Sequence, residues 1–166
     1  MNPVYLRKLL LSGMLAVFLI STASGQSFDW NIHGGLNLMK AKSGDSNMAM
    51  LYHAGIQAGV RITNIGVYGE IDYSLHEDQY GGDPIPYLIP AALVKAYTLR
   101  FIFIEAGAAY LAKMGDSDVD PDIMNPDEKI FLLAGMGVHV SKLEFSIRTE
   151  AKQSYGVIRF TAALKF

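Results

Sequence analysis

The chain has 166 residues, of which 51% are hydrophobic, with a formal net charge of −2 and no cysteine. This length is enough for one domain, and the lack of cysteine excludes disulfides, thiolate metal sites and a lipid-modified N-terminal cysteine. Because Lys and Arg form no cluster along the chain, nucleic acid is excluded as an expected partner.

The N-terminal residues 1–25 have the pattern of an export signal. Arg7 and Lys8 precede an apolar run from Leu9 to Ile20, and a stretch of small residues, 21–25, follows it. A run of about a dozen residues is short for a membrane-spanning helix, which needs about 20. We therefore predict a cleaved signal peptide over 1–25 and a mature domain over 26–166. An uncleaved N-terminal anchor is the alternative.

Eight segments of the mature region have strand character. In the clearest of them, 143–152, Phe145 and Ile147 alternate with Glu144 and Arg148. Period-two alternation over about ten residues is typical of a strand with different surroundings on its two faces. The three segments in the middle of the chain are more apolar on both faces. The other segments are approximately 28–38, 52–62, 67–76, 87–97, 101–111, 130–140 and 158–166.

The connections between these segments alternate in length. Long loops are predicted at 40–50, 77–86 and 113–129, with a shorter connection near 153–155. Tight turns are predicted at 63–66, 98–100 and 141–142. Segments of about 9–11 residues are long enough to cross a bilayer at a tilt, and alternating loops and turns are typical of up-and-down outer-membrane barrels. The sequence thus predicts an all-β fold, an eight-stranded antiparallel transmembrane β-barrel in the cell outer membrane.

The polar faces carry charges of both signs, which we expect to fill the lumen of the barrel. Isolated buried charges cost several kcal/mol each, so these groups must pair with one another. Alternation is unchanged when a barrel is turned inside out, so a soluble barrel with a solvated charged surface stays open as an alternative. The predicted lumen charge network consists of Arg61, Glu70, Asp72, Lys95, Glu105, Glu144, Arg148, Glu150 and Arg159.

Three smaller features fit this arrangement. Glycines on the polar faces leave space for large side chains in a narrow lumen. Pro90 lies inside a predicted strand, and because proline has no ladder donor we expect it at a bulge near the outer rim. Aromatic residues near the ends of strands are candidates for the interfacial girdles of a membrane barrel: Trp30, Tyr52, Tyr97, Tyr110 and Phe166.

Several short motifs resemble the PorT-like outer-membrane barrels of Bacteroidetes. These are GGLN at 34–37, YLIP at 87–90 with Lys95 and Tyr97, IEAGAAY at 104–110, and AGMGV at 134–138. Ala91, Ala92 and Ala108 depart from the pattern of that family. The terminal LKF at 164–166 resembles the aromatic signal that the barrel-assembly machinery reads. Size and topology resemble small OmpX-like barrels.

The resemblance implies outer-membrane lipid, lipopolysaccharide and the barrel-assembly machinery as partners, with Phe166 as the assembly signal. An extracellular or secretion-system protein is a further candidate partner.

The longest predicted loop is acidic. Asp116, Asp118, Asp120 and Asp122 alternate along it and offer the oxygen ligands that Ca²⁺ prefers. Pro121 stands where an EF-hand loop requires glycine. The loop is therefore predicted as a metal site or as a solvated acidic loop, with divalent ions bridging lipopolysaccharide as a middle possibility.

No catalytic or cofactor motif is present, so we predict neither an enzyme nor a cofactor. The cluster His76-Glu77-Asp78 is the one rim candidate for chemistry, while hydrogen bonding in the lumen is expected for all four histidines: His33, His53, His76 and His139.

The predicted function is a structural, adhesive or interaction role carried by the long extracellular loops. The first alternative is a narrow channel or a barrel component of a secretion or assembly system. The second is a soluble periplasmic lipocalin-like barrel that binds an apolar ligand.

Overall fold

The computed structural model of the protein describes residues 26–41, 48–76, 84–99, 101–114, 129–151 and 155–166. The predicted signal peptide and the four aspartates of the acidic loop lie outside these ranges. Within them, no helix has the length and apolar character needed to span a membrane.

The described residues form nine strand segments in one closed sheet. Each segment pairs antiparallel with its neighbours, and the pairings of β3 with β4 and of β1 with β9 complete the ring. β5 and β6 are two parts of one barrel strand, so the fold is the predicted eight-stranded antiparallel up-and-down barrel. The segments are β1 (Gln26–Ala41), β2 (Met48–Ile62), β3 (Ile65–His76), β4 (Ile85–Tyr97), β5 (Ile102–Tyr110), β6 (Ala112–Lys113), β7 (Ile130–Val140), β8 (Leu143–Ala151) and β9 (Tyr155–Lys165).

The first hairpin is longer than the alternation predicts. A loop is expected over 40–50, but the ladder continues to the pairs Leu38↔Met50 and Lys40↔Met48. Backbone hydrogen bonds do not depend on side-chain polarity, so a ladder continues where the apolar–polar pattern has already faded.

Two tight turns define one end of the barrel. Ile62 pairs with Ile65 and Val140 pairs with Leu143, which leaves two residues in each turn. The first residue of each turn has a left-handed backbone, with φ of 51° at Thr63 and 57° at Ser141. This end, which also holds the connection between β4 and β5, is called the turn end. The opposite end, where the long connections lie, is called the loop end.

Pro90 interrupts a ladder without forming a bulge. β4 pairs with β5 up to Ala91↔Ala109 and with β6 from Leu88↔Ala112, and the register is the same on both sides of the gap. The predicted bulge is therefore wrong. The gap opens opposite Pro90 because proline has no N–H to donate. On the other side of the strand the N–H of Leu111 donates to the carbonyl of Lys129 at 2.8 Å, which continues the β5–β7 ladder.

The apolar face of the sheet points outward. Arg159 is 2% exposed, while the next residue, Phe160, is 40% exposed, and Ile147 and Phe145 on β8 are about half exposed. An outer belt of large apolar side chains with polar groups inside is the arrangement of a transmembrane barrel and the inverse of a lipocalin-like one. Alternation alone left this choice open, and the direction of sheet closure decides it.

Aromatic side chains mark both ends of the belt. Tyr52, Tyr73 and Tyr110 are exposed near the loop end. At the turn end, Trp30 and Phe166 stack with ring centroids 4.4 Å apart, and the N–H of Phe166 donates to the carbonyl of Trp30 at 2.9 Å. Four of the five predicted girdle residues thus lie on the outer face. The expectation for Tyr97 is wrong, because its inward register position buries it in the lumen.

Candidate functional site: the barrel lumen

The lumen has two walls of different chemistry. The charged wall consists of the inward polar residues of β1, β2, β3, β8 and β9. The apolar wall consists of inward residues of β4, β5 and β7 with the adjoining Leu111. Among the described residues, β4 and β5 contribute two buried charged side chains to the lumen, Lys95 and Glu105. The apolar wall is Tyr87, Ile89, Leu93, Ala109, Leu111, Phe131 and Leu133.

Arg148 on β8 joins two carboxylates from other strands. Its guanidinium donates to both oxygens of Glu70 on β3, at 2.5 and 3.2 Å, and to both oxygens of Glu105 on β5, at 3.1 and 3.2 Å. All three side chains are almost completely buried. Such paired donors give the guanidinium a fixed geometry across the barrel.

Arg159 on β9 makes a second bridge of the same kind. It donates to Asp72 on β3 and to Glu150 on β8, the latter at 2.7 Å. Arg148 and Arg159 stand directly opposite each other in the β8–β9 ladder. Like charges in this position destabilise a sheet, so the four carboxylates offset a repulsion that the register imposes.

Lys95 is the one charged residue of β4, and it pairs with carboxylates of β5 and β8. Its ammonium group donates to Glu144 and lies 3.8 Å from Glu105. The same group lies over the ring of Phe103 at 4.6 Å and over the ring of Tyr68 at 5.3 Å. These cation–π contacts add to the ion pairs at a buried site.

A chain of hydrogen bonds through Gln57, Asn31 and His33 connects the two arginine clusters. The amide of Gln57 donates to Glu70 at 2.7 Å, and the amide of Asn31 donates to Gln57 at 3.1 Å. The ring of His33 contacts the Asn31 amide oxygen at 3.1 Å through Nδ1 and Asp72 at 2.6 Å through Nε2. The polar face of the alternation contains these residues, but their order in the chain of hydrogen bonds follows only from the barrel cross-section.

A polar cluster closes the turn end of the lumen. Lys165 donates to Asp29 at 2.7 Å, and the hydroxyl of Tyr68 donates to the same carboxylate at 3.3 Å. The hydroxyls of Tyr68 and Tyr97 lie 3.0 Å apart. Arg61 contributes a cation–π contact, with its guanidinium carbon 4.9 Å from the centroid of Tyr97.

Eight of the nine residues predicted for the lumen charge network meet in these buried ion pairs. Arg61 lies apart from them, half-buried at the turn end against Tyr97. Because Arg61 is the last residue but one of β2, it lies closer to the turn end of the barrel than the paired carboxylates do. Tyr68 and Phe103, which contact Lys95, are lumen residues that the charge pattern alone did not indicate.

Glycines give the large lumen side chains their space. A Cβ at Gly55 would collide with Asp72 and with the ring of His33, and one at Gly137 would collide with the ring of Phe103. At Gly55 and Gly137 the lack of a side chain therefore leaves the space that large lumen side chains occupy.

The described cavity within the ion-pair network is small. A lumen cavity bordered by Asn31, His33, Glu70, Lys95 and Arg148 has a volume of about 10 Å³, room for about one water molecule. A concavity of about 590 Å³ lies instead on the outer face, among apolar residues of the belt such as Ile147 and Phe160.

The lumen trio His33, Glu70 and Asp72 places its ligand-type atoms within 4.8 Å of one another. The residues do not fit a metal ion, because Arg148 and Arg159 already donate to these carboxylates. At the loop end, His76 is buried with its ring 4.8 Å from that of Tyr87. Glu77 and Asp78, its neighbours in the predicted rim cluster, lie outside the described residues.

No protein-family model and no curated protein matches the sequence. Among solved structures, the outer-membrane protein Ail of Yersinia pestis in a phospholipid bilayer nanodisc is 14% identical, with a TM-score of 0.50, covering 84% of this chain and 100% of that one. Ail in complex with the heparin analogue sucrose octasulfate is 12% identical, with a TM-score of 0.49 and coverage of 86% and 99%.

Neisserial surface protein A is 15% identical, with a TM-score of 0.48, covering 86% of this chain and 98% of that one. At such identities the likeness concerns the fold alone, and the first of these structures supports it. The chain therefore has the closed eight-stranded antiparallel barrel fold that is found in small outer-membrane proteins.

Proposed function

We propose that the chain is a closed outer-membrane barrel with a structural, adhesive or interaction role carried by its extracellular loops. The observation that carries the proposal is the combination of an apolar outer belt with a packed, ion-paired lumen. The belt would contact outer-membrane lipid and lipopolysaccharide, and the lumen would hold the wall rigid beneath the loops. The proposal assigns no catalytic step and no cofactor to the barrel.

Membership of the PorT-like family of Bacteroidetes is part of the proposal and is supported by the short motifs alone. Recognition of Phe166 by the barrel-assembly machinery is likewise proposed, and the exposure of its ring at the turn end supports it. In this orientation the turn end faces the periplasm.

Membrane fractionation with heat-modifiable gel mobility tests the location. We expect the full-length protein in the outer-membrane fraction, with faster mobility unheated than after boiling, because a closed barrel keeps its compact shape in detergent. Recovery in the soluble fraction with no mobility shift would overturn the proposal in favour of a soluble barrel.

Conductance in planar bilayers tests whether the lumen is closed. We expect no steady conductance from the wild type, because the lumen cavity leaves room for about one water molecule. The matched variant Glu70→Ala with Arg148→Ala removes the central ion pair and should admit ions if it folds. A stable open pore in the wild type would instead support the channel alternative.

The acidic loop remains a predicted divalent-ion site. Calcium titration of the refolded barrel by calorimetry, compared with a variant in which Asp116, Asp118, Asp120 and Asp122 are changed to Asn, tests it. A heat of calcium binding that is present in the wild type and absent in the variant would support the site. Equal signals from both proteins would leave the loop with the role of a solvated acidic surface.

A further inference from the structure

The buried charges of the lumen do not balance. Among the described residues, the carboxylates exceed the Lys and Arg side chains with which they share the lumen. The five buried carboxylates are Glu70, Asp72, Glu105, Glu144 and Glu150, and the three buried cations are Lys95, Arg148 and Arg159. Because uncompensated buried charge is destabilising, a further positive group in the lumen would stabilise the barrel.

The direction of the hydrogen bonds identifies that group. Arg148 donates to both oxygens of Glu70, so Glu70 is an acceptor and the amide nitrogen of Gln57 must point to it. This orientation turns the amide oxygen of Gln57 toward the amide nitrogen of Asn31. Each amide has one donor end and one acceptor end. The amide nitrogens of Asn31 and Gln57 are therefore both on the Glu70 side of their groups, and the amide oxygens are on the His33 side.

The same orientation fixes His33. Because the amide nitrogen of Asn31 donates to Gln57, the amide oxygen of Asn31 is the atom that faces Nδ1 of the histidine ring. On the other side, Nε2 lies 2.6 Å from a carboxylate oxygen of Asp72, whose second oxygen accepts from Arg159. Both ring nitrogens therefore face acceptors, and a histidine that donates through both nitrogens is an imidazolium.

We infer that His33 is protonated on both ring nitrogens and serves as a fourth buried cation of the lumen, so that this membrane barrel carries a structural proton. The inference goes beyond the proposed function and depends only on the lumen geometry. Asn31 of β1 and Asp72 of β3 contact the ring of His33, and the ring of His53 on β2 lies 6.3 Å from it. Glu70 of β3, Lys95 of β4, and Glu144 and Arg148 of β8 border the same lumen cavity as His33, and Arg159 of β9 donates to the second oxygen of Asp72.

A second histidine in the same lumen provides an internal control. The His53 ring lies 6.3 Å from that of His33, and its Nε2 contacts the hydroxyl of Thr161 at 3.1 Å. Its Nδ1 is buried without a hydrogen-bond partner among the described residues. A hydroxyl serves as donor or acceptor, so nothing in its contacts requires a second proton on His53. We expect His53 to be neutral beside a charged His33.

Nitrogen NMR of the full mature barrel, labelled with ¹⁵N-histidine and refolded in nanodiscs at neutral pH, tests the inference. His33→Gln and His53→Gln assign the two signals. We expect two proton-bearing ring nitrogens for His33 and one for His53. An unprotonated ring nitrogen on His33 would overturn the inference, including the case in which the proton resides on the Asp72 carboxyl.

The variant Asp72→Asn tests the cause. It removes the negative charge at Nε2 and leaves the amide contact at Nδ1, so we expect His33 to lose its second proton while His53 is unchanged. A doubly protonated His33 in this variant would show that Asp72 does not hold the proton and would overturn the argument from the hydrogen-bond chain. If His33→Gln does not fold, the variants His53→Gln, His76→Gln and His139→Gln assign the other three of the four histidines and leave His33 as the remaining signal.

Discussion

The two walls of the lumen fill the same narrow space by different means. On the charged wall, Arg148 and Arg159 each join carboxylates from two other strands, so each arginine has fixed partners elsewhere in the barrel. On the apolar wall, Leu93 and its neighbours fill space by contact alone. A buried charge without its partner is costly, while a buried apolar side chain can be replaced by another of similar volume at a small cost. The stability of the charged wall therefore depends on which groups are paired, and that of the apolar wall depends on the volume of its side chains.

The largest effect is expected from Arg148→Met. The change leaves Glu70 and Glu105 without their shared partner, and breaking a buried ion pair from one side costs about 3–5 kcal/mol in the free energy of unfolding. Urea unfolding of the barrel in phospholipid vesicles, followed by the fluorescence of Trp30, the single tryptophan of the chain, measures the loss.

Adding Glu70→Gln and Glu105→Gln to Arg148→Met provides the control. With both carboxylates neutral, most of the lost stability should return, because the cost lies in the unpaired charge rather than in the missing volume. A triple variant as unstable as the single one would mean that the guanidinium acts mainly by packing and would remove the contrast between the walls.

The second effect concerns the apolar wall. Leu93 is 1% exposed, so Leu93→Ala should cost about 2–4 kcal/mol through the cavity that it leaves. Leu93→Met keeps the volume and should cost less than about 1.5 kcal/mol. The same urea titration compares them. Similar losses from Ala and Met would show that this wall requires a particular shape as strictly as the charged wall requires a partner.

A third effect lies outside both walls. Phe166→Ala removes the stack on Trp30, which is worth about 0.5–1.5 kcal/mol beyond its buried area. We expect slower membrane assembly with an unchanged lumen, measured as the fraction of heat-modifiable protein over time. Phe166→Trp, which keeps an aromatic ring at the end of β9, should assemble like the wild type. Normal assembly of Phe166→Ala would contradict the proposed assembly signal.

The smallest effect is expected at the turn end. Thr63 has a φ of 51°, which is unfavourable for a β-branched residue, although its hydroxyl donates to the carbonyl of Ile62 at 2.7 Å. Thr63→Gly should raise the free energy of unfolding by about 1 kcal/mol. Thr98→Gly, in the connection between β4 and β5, serves as a comparison without a left-handed backbone and should give no gain.

Much of the fold could be read from the residue pattern because strands separate two kinds of surroundings. The alternation at Glu144, Phe145, Ser146 and Ile147 assigns each side chain to a face before any partner is known. Tyr97 shows the limit of this reading. Its position near a strand end suggested the membrane interface, but its register position turns it inward, where Tyr68 and Arg61 contact it.

The ion pairs show the same limit. The sequence identified most of the lumen charges but not their partners, since Glu70 and Arg148 are 78 positions apart and meet only across the closed barrel. The predicted bulge at Pro90 failed for a related reason. Proline removes a donor wherever it lies, but whether the ladder shifts or merely opens depends on the neighbouring strand.

Local periodicity is enough to predict the strands, their two faces and the alternation of long and short connections. It does not show which face is inside, which carboxylate pairs with which cation, or how the donors run from His33 to Glu70. Those features depend on contacts between strands that are distant in the chain, and closure of the sheet brings the strands together.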